Sequence, residues 1–104
     1  MATSLDFCQY VCGQIRGNYD VTFKKMFGEY MIYLNAKPLL LLCDDMVYVK
    51  KLKEIERFVG GESGFPYENA KEYYIIDADD VENFNEILKI LEQITPLKNK
   101  GELK

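Results

Sequence analysis

Lys24-Lys25-Met26-Phe27-Gly28-Glu29-Tyr30, then Met31-Ile32-Tyr33-Leu34, then Leu39-Leu40-Leu41-Leu42-Cys43-Asp44-Asp45-Met46-Val47-Tyr48-Val49-Lys50, decides the fold. β-Branched, aromatic and leucine-rich runs alternate with short groups of turn-forming residues. Residues 21–27 read as a first strand. Gly28-Glu29 follows, and glycine in first place suits a two-residue type II′ hairpin. Residues 30–34 form strand two, and Asn35-Ala36-Lys37 the next turn. Pro38 opens strand three, where its missing N–H is tolerated. Residues 39–43 are strand three, Asp44-Asp45 a turn, and residues 46–50 strand four. Turns this short require antiparallel neighbours. Strand three is apolar on both faces, which predicts a central position with cover above and below. Helices cover one side. The loop around residues 65–67, or a second copy of the chain, is expected to cover the other.

Outward from this meander, Ser4 reads as an N-cap for a helix over residues 5–15, with Leu5, Cys8, Val11, Cys12 and Ile15 on one face. After the meander, Leu52, Ile55, Phe58 and Val59 predict a short helix over residues 51–59, stopped by Gly60-Gly61. Residues 62–70 read as an ordered loop and residues 72–77 as a fifth strand. Asp79 or Asp80 then caps a last helix whose stripe is Val81, Phe84, Ile87, Leu88, Leu91 and Ile94. Pro96 ends it. The order α-β-β-β-β-α-β-α predicts an α+β domain, a two-layer sandwich with a mainly antiparallel five-stranded sheet. One domain is expected over residues 1–96, with a polar tail at 97–104.

The 104 residues are enough for one core. No apolar run approaches the roughly 20 residues needed to cross a bilayer, and no secretory signal is visible at the N-terminus. Three cysteines without a dense framework fit a reducing compartment, so the chain is expected in the cytoplasm. The chain has no histidine, which removes the commonest general base and transition-metal ligand. The net charge of −4 disfavours direct nucleic-acid binding, which needs a basic face against phosphates. Residues 60–104 carry most of that acidity.

Candidate chemical groups have structural explanations. Cys8 and Cys12 have a spacing two metal ligands could share, yet they fall on the apolar face of a helix. Cys43 follows four leucines and has no electropositive neighbour to make it a nucleophile. Asp44-Asp45 and Asp79-Asp80 sit where a turn and a cap call for aspartate. No catalytic, cofactor or metal residue is therefore assigned. Lys24-Lys25 and Lys50-Lys51-Lys53 could share a sheet edge and meet an acidic partner, or simply guard that edge. Eight tyrosines and six phenylalanines leave aromatic area for contact. The candidate contact residues are Lys24, Lys25, Tyr30, Tyr33, Tyr48 and Lys50.

Lys25-Met26-Phe27-Gly28-Glu29-Tyr30, Cys43-Asp44-Asp45 with Val47-Tyr48-Val49-Lys50, Pro66-Tyr67 and Tyr73-Tyr74 together resemble the N-terminal domain of the TfoX/Sxy family. Phe7 and Tyr10-Val11 of the opening helix fit as well. The resemblance spans about residues 4–94. It implies a two-layer α/β domain, here without the helical C-terminal domain of longer members, and a role in regulating competence genes. The family offers no established catalytic residues to transfer. The resulting expectation is a non-enzymatic interaction domain that modulates a protein partner, with a homodimer as one arrangement and no membrane partner. A small-molecule-binding domain or cryptic enzyme near Tyr67 and Asp44 is the alternative, and a nucleic-acid binder using the lysine clusters a third.

Overall fold

The computed structural model describes residues 3–26 and 28–96. Phe27, expected to end strand one, and the expected tail at 97–104 lie outside the described residues. The meander consists of β1 (Val21–Met26), β2 (Glu29–Leu34), β3 (Lys37–Cys43) and β4 (Met46–Lys50). Met26 pairs with Glu29, Leu34 with Lys37 and Cys43 with Met46, so each connection has two residues. Glu29 is paired in β2 and is not a turn residue, contrary to the expected Gly28-Glu29 turn; Gly28, with φ 81°, directly precedes the strand. Sliding the pairing this way sets Val21 opposite Leu34, where it packs against the main core.

The other two turns have positive φ at both positions: Asn35 53° and Ala36 68°, then Asp44 54° and Asp45 56°. This is the type I′ geometry that matches strand twist. Alanine has no side-chain compensation for a left-handed backbone. Ala36→Gly should therefore stabilise the protein by about 1 kcal/mol, read as a rise of several degrees in the melting temperature. An unchanged or lower melting temperature would count against strain at this turn.

β2 and β3 slip register between Ile32 and Tyr33, since Ile32 pairs with Leu40 and Tyr33 with Pro38. Leu39 is the extra residue, so both Leu39 and Leu40 join the helix-side core. Pro38 does not open β3, which starts one residue earlier; it sits beside the bulge, another site where a missing donor is tolerated. The sheet is completed by β5 (Ser63–Gly64) and β6 (Tyr73–Ile76) in the order β1-β2-β3-β4-β6-β5, every pairing antiparallel. Six strands replace the expected five because β5 is two residues long and contains a glycine, leaving no periodic signal.

Helix α1 (Leu5–Gly13) starts as expected, with Ser4 Oγ accepting the Phe7 N–H at 3.1 Å, and ends two residues early. Helix α2 (Val81–Ile94) buries Phe84, Ile87, Leu88 and Leu91. Asp80 holds the N-cap place, but its side chain makes no cap bond; its carbonyl accepts from the Phe84 N–H at 2.8 Å. Between β4 and β5 the expected α-helix is a 3₁₀ segment, Lys53–Phe58. Leu52, Ile55 and Phe58 recur every third residue, and a three-residue turn aligns all three on the core. Among the described residues, no helix is long and apolar enough to cross a membrane.

Side-chain bonds fasten these layers. Asn85 receives the Arg16 N–H at 2.8 Å and donates to the Gln14 carbonyl at 2.9 Å, tying the end of α1 to α2. Lys37 Nζ lies 2.7 Å from the Glu92 carbonyl and 3.1 Å from Glu92 Oε2, while Asn35 donates to that carboxylate at 3.2 Å. The bonds from Asn35, then Lys37, hold the Glu92 carboxyl below its ordinary range. Its contribution is present above the unfolded-state pKa and fades as pH falls through the lower folded-state value. Glu92→Gln should thus cost about 1 kcal/mol at neutral pH. That gap should close on acidification; denaturation curves with a pH-independent gap would contradict this account.

Candidate interaction face

Strand alternation gives the sheet two different faces. Tyr30, Ile32, Leu34, Leu40, Leu42, Val47, Val49 and Ile76 meet Cys8, Val11, Ile55 and α2 in the main core. The second face holds a smaller buried group, Leu41, Cys43 and Tyr48, edged by Met31, Tyr73 and Ile75. The loop after β5 lies against it. A Cβ added at Gly64 would stand 3.3 Å from Ile75 Cδ1 and 3.7 Å from the Tyr48 ring, so only glycine passes this close without displacement. Pro66 is buried, and its carbonyl lies 2.8 Å from Cys43 Sγ. Glu29 Oε2 is a second acceptor for the same thiol at 3.3 Å. The sheet's second face is thus partly covered by the chain's own loop.

Beyond Pro66 the cover opens. Phe65 is 64% and Tyr67 50% exposed. Tyr67 and Tyr73, with Met26, Glu29, Met31 and Leu41, line a mostly apolar groove of about 430 Å³. The same two tyrosines also line a neighbouring cleft with Lys50, Lys51 and Lys71, so an apolar depression runs into a basic one. Within that cleft Lys51 pairs with Glu72 at 3.2 Å and sits 5.5 Å from the Tyr74 ring centre.

The thiols are tuned for packing. Burial pushes Cys43 up to about 11, with Glu29 and Asp44 adding to the effect. Burial pushes Cys8 up to about 12, with Cys12 adding to it. Both remain protonated near neutral pH, which removes the thiolate that nucleophilic chemistry needs. Among the described residues, no group of three His, Cys, Asp or Glu side chains could hold a metal ion. At the far end of the sheet, Tyr10 donates to Asp79 beside an acidic cavity lined also by Asp45, Glu62 and Asp77.

The six contact residues chosen from sequence do not form one surface. Tyr30 is only 5% exposed, on the helix side, its ring edge-on to Phe23 at 5.8 Å. Tyr48, also 5% exposed, belongs to the buried group of the second face. Both are β-formers whose strand position carries them inward. Tyr33 is half-buried, while Lys24, Lys25 and Lys50 are exposed. Lys24 and Lys50 stand on the first and fourth strands in sheet order, roughly 14 Å apart at the usual strand spacing. The two lysine clusters therefore share no sheet edge. Asp44 does not line the groove at Tyr67. Sequence reading missed Met26, Met31 and Tyr73 as groove residues. The sequence carried no signal for them: in β2, Met31 and Tyr33 alternate with buried Tyr30, Ile32 and Leu34, yet all five are apolar or aromatic.

No family model matches the chain, and no solved structure matches it. One relative is the "Uncharacterized 12.7 kDa protein in trpE 5'region" of Spirochaeta aurantia, 30% identical over 99 residues, covering 92% of this chain and 86% of the relative. The chain belongs to that protein's family. The match covers most of both proteins, so the meander, its covering loop and α2 fall within the shared length.

Proposed function

We propose that this chain is a small non-enzymatic interaction domain, acting in the cytoplasm on a protein partner, in transcriptional regulation of the competence type. The observation that carries the docking part is the apolar groove over Leu41, continuous with a lysine-lined cleft and rimmed by half-exposed Tyr67. Tyrosine and methionine suit such contacts because they offer apolar area with adaptable or hydrogen-bonding tips. The groove's occupant is an apolar side chain of the partner, followed by acidic residues that meet Lys50 and Lys71. The regulatory part is supported by the resemblance of Lys25-Met26-Phe27-Gly28-Glu29-Tyr30 and Cys43-Asp44-Asp45 to the TfoX N-terminal domain.

A photo-crosslinking residue placed at Tyr67 should capture one protein in cells that the same residue at exposed Lys89 does not. The captured protein, once purified, should bind the purified chain and lose binding on Tyr67→Asp. Equal capture from both positions would remove the reading. A second reading, an apolar small molecule, is favoured by the groove's volume alone, which falls in the usual range for ligand sites. Thermal-shift screening separates the two, since only the second predicts stabilisation by a compound without any protein partner.

A further inference from the structure

The sheet has one long open edge. Among the described residues, β1 is hydrogen-bonded on one side only, to β2, whereas the opposite edge strand, β5, has two residues. A two-residue turn makes Met26 and Glu29 a mutually bonded pair, and bonded pairs then alternate along the ladder. The Asn35 N–H donating to the Asp20 carbonyl at 2.8 Å shows the same phase at the other end. Thr22, Lys24 and Met26 therefore bond inward to β2. Val21, Phe23 and Lys25 point their N–H and C=O groups outward, and no described group takes them.

Five of the six β1 residues are exposed, including Phe23 at 43% and Met26 at 37%. An edge of this length is a template for another strand unless something blunts it. β1 has no proline, and its pairing with β2 has no bulge; its two lysines are the blunting device. They act selectively. Lys25 shares the helix side with Phe23, and Lys24 shares the second face with Met26. Neither has a carboxylate partner among the described residues, where the ion pairs are Lys37–Glu92 and Lys51–Glu72. If a second copy paired antiparallel with Phe23 opposite Phe23, Lys24 would lie diagonal to its own counterpart, a like-charge contact about 7–8 Å across. An added strand with two adjacent carboxylates would instead give each lysine one opposite charge, on opposite faces of the sheet.

We infer that the outer edge of β1 is a strand-addition site for an extended acidic segment of another protein, of the pattern apolar-acid-acid-apolar. The outer positions of that pattern lie beside Phe23 and Met26, and the inner two beside Lys24 and Lys25. The pattern reads the same in both directions, so either strand polarity satisfies it. Main-chain bonds from Val21, Phe23 and Lys25 provide the adhesion, and the lysines the selectivity. This inference rests on the reading of the chain as an interaction domain, but not on the groove at Tyr67.

The test uses the full chain with two synthetic peptides, acetyl-Thr-Val-Asp-Glu-Val-Thr-amide and acetyl-Thr-Val-Lys-Lys-Val-Thr-amide, at low salt. Amide hydrogen exchange at Val21, Phe23 and Lys25 should slow about tenfold at nine-tenths saturation with the acidic peptide. Thr22 and Lys24, already bonded inward, should change little, and the lysine peptide should do nothing. The variant K24E/K25E should exchange these preferences, with its fold checked by circular dichroism. Three outcomes overturn the inference: no protection at saturating peptide, resonance shifts confined to lysine side chains, or concentration-dependent protection without peptide accompanied by dimers in sedimentation. Crosslinking through position 67 with unprotected β1 amides would leave the docking reading standing and remove this one.

Discussion

Leu41→Ala should lower the unfolding free energy by about 2–3 kcal/mol, in a monomer and without dependence on protein concentration. Leu41 is on the sheet face away from the helices, yet it is only 6% exposed. Its neighbours there are Met31 and Tyr48 across the ladders, with Tyr73 and Tyr67 beyond. Truncation removes buried methyl groups and leaves a space beneath the groove. Because the groove is open above, Met31 and Tyr67 can relax into part of that space, which puts the cost near the lower end for buried leucine. Urea denaturation at two protein concentrations measures it. A change within about 0.5 kcal/mol is what an exposed position gives, and it would mean the loop does not shield this face. A large effect that grows with protein concentration would instead assign the cover to a second copy.

Phe84→Ala should have the largest effect of any single aromatic truncation here, about 3–5 kcal/mol. Phe84 is the largest of the fully buried side chains and sits in the first turns of α2, packed into the helix-side core. Its removal both opens a cavity and loosens the helix that carries Asn85 and Glu92, the residues bonded to α1 and to the β2–β3 turn. At this chain length each kcal/mol moves the melting temperature by roughly 4–8 °C, so the variant should melt at least 12 °C lower or fail to fold near 37 °C. Phe65→Ala is the matching control. Phe65 is 64% exposed, and its loss should alter stability by no more than about 0.5 kcal/mol. Similar losses at both positions would contradict the burial pattern on which the two-layer description depends.

The strand meander was legible because each turn signal fell between short runs rich in β-branched, aromatic and leucine residues. The α2 stripe was legible because Val81, Phe84, Ile87, Leu88, Leu91 and Ile94 repeat at helical spacing over fourteen residues. Shorter elements were read less well. Leu52, Ile55 and Phe58 fit a 3.6-residue and a 3.0-residue turn almost equally over so short a span. The first hairpin turn was read as including Glu29 because Gly28 can hold either place of a two-residue turn. Pairing of Val21 with Leu34 decided between them, and that is a contact between residues thirteen apart.

The candidate surface was harder still. Composition showed that aromatic area must lie outside the core, but not which tyrosines supply it. Tyr30 and Tyr48 are in strands as expected and still point inward, while Tyr67, in a loop without periodicity, is half exposed. Exposure at a strand position depends on what covers that face, and the covering loop comes from residues 62–70, far away in sequence.

By itself, the sequence determined the α+β class, the antiparallel meander, the central place of β3 and the amphipathic last helix. Each follows from local periodicity and turn chemistry, which act over a few neighbouring residues. Only the tertiary structure decided that Pro66 closes over Cys43, that Met26, Met31, Tyr67 and Tyr73 share a groove, and that β1 is left as the open edge. Those features depend on which distant segments occupy the same space, and chain connectivity places no pattern in the sequence that records it.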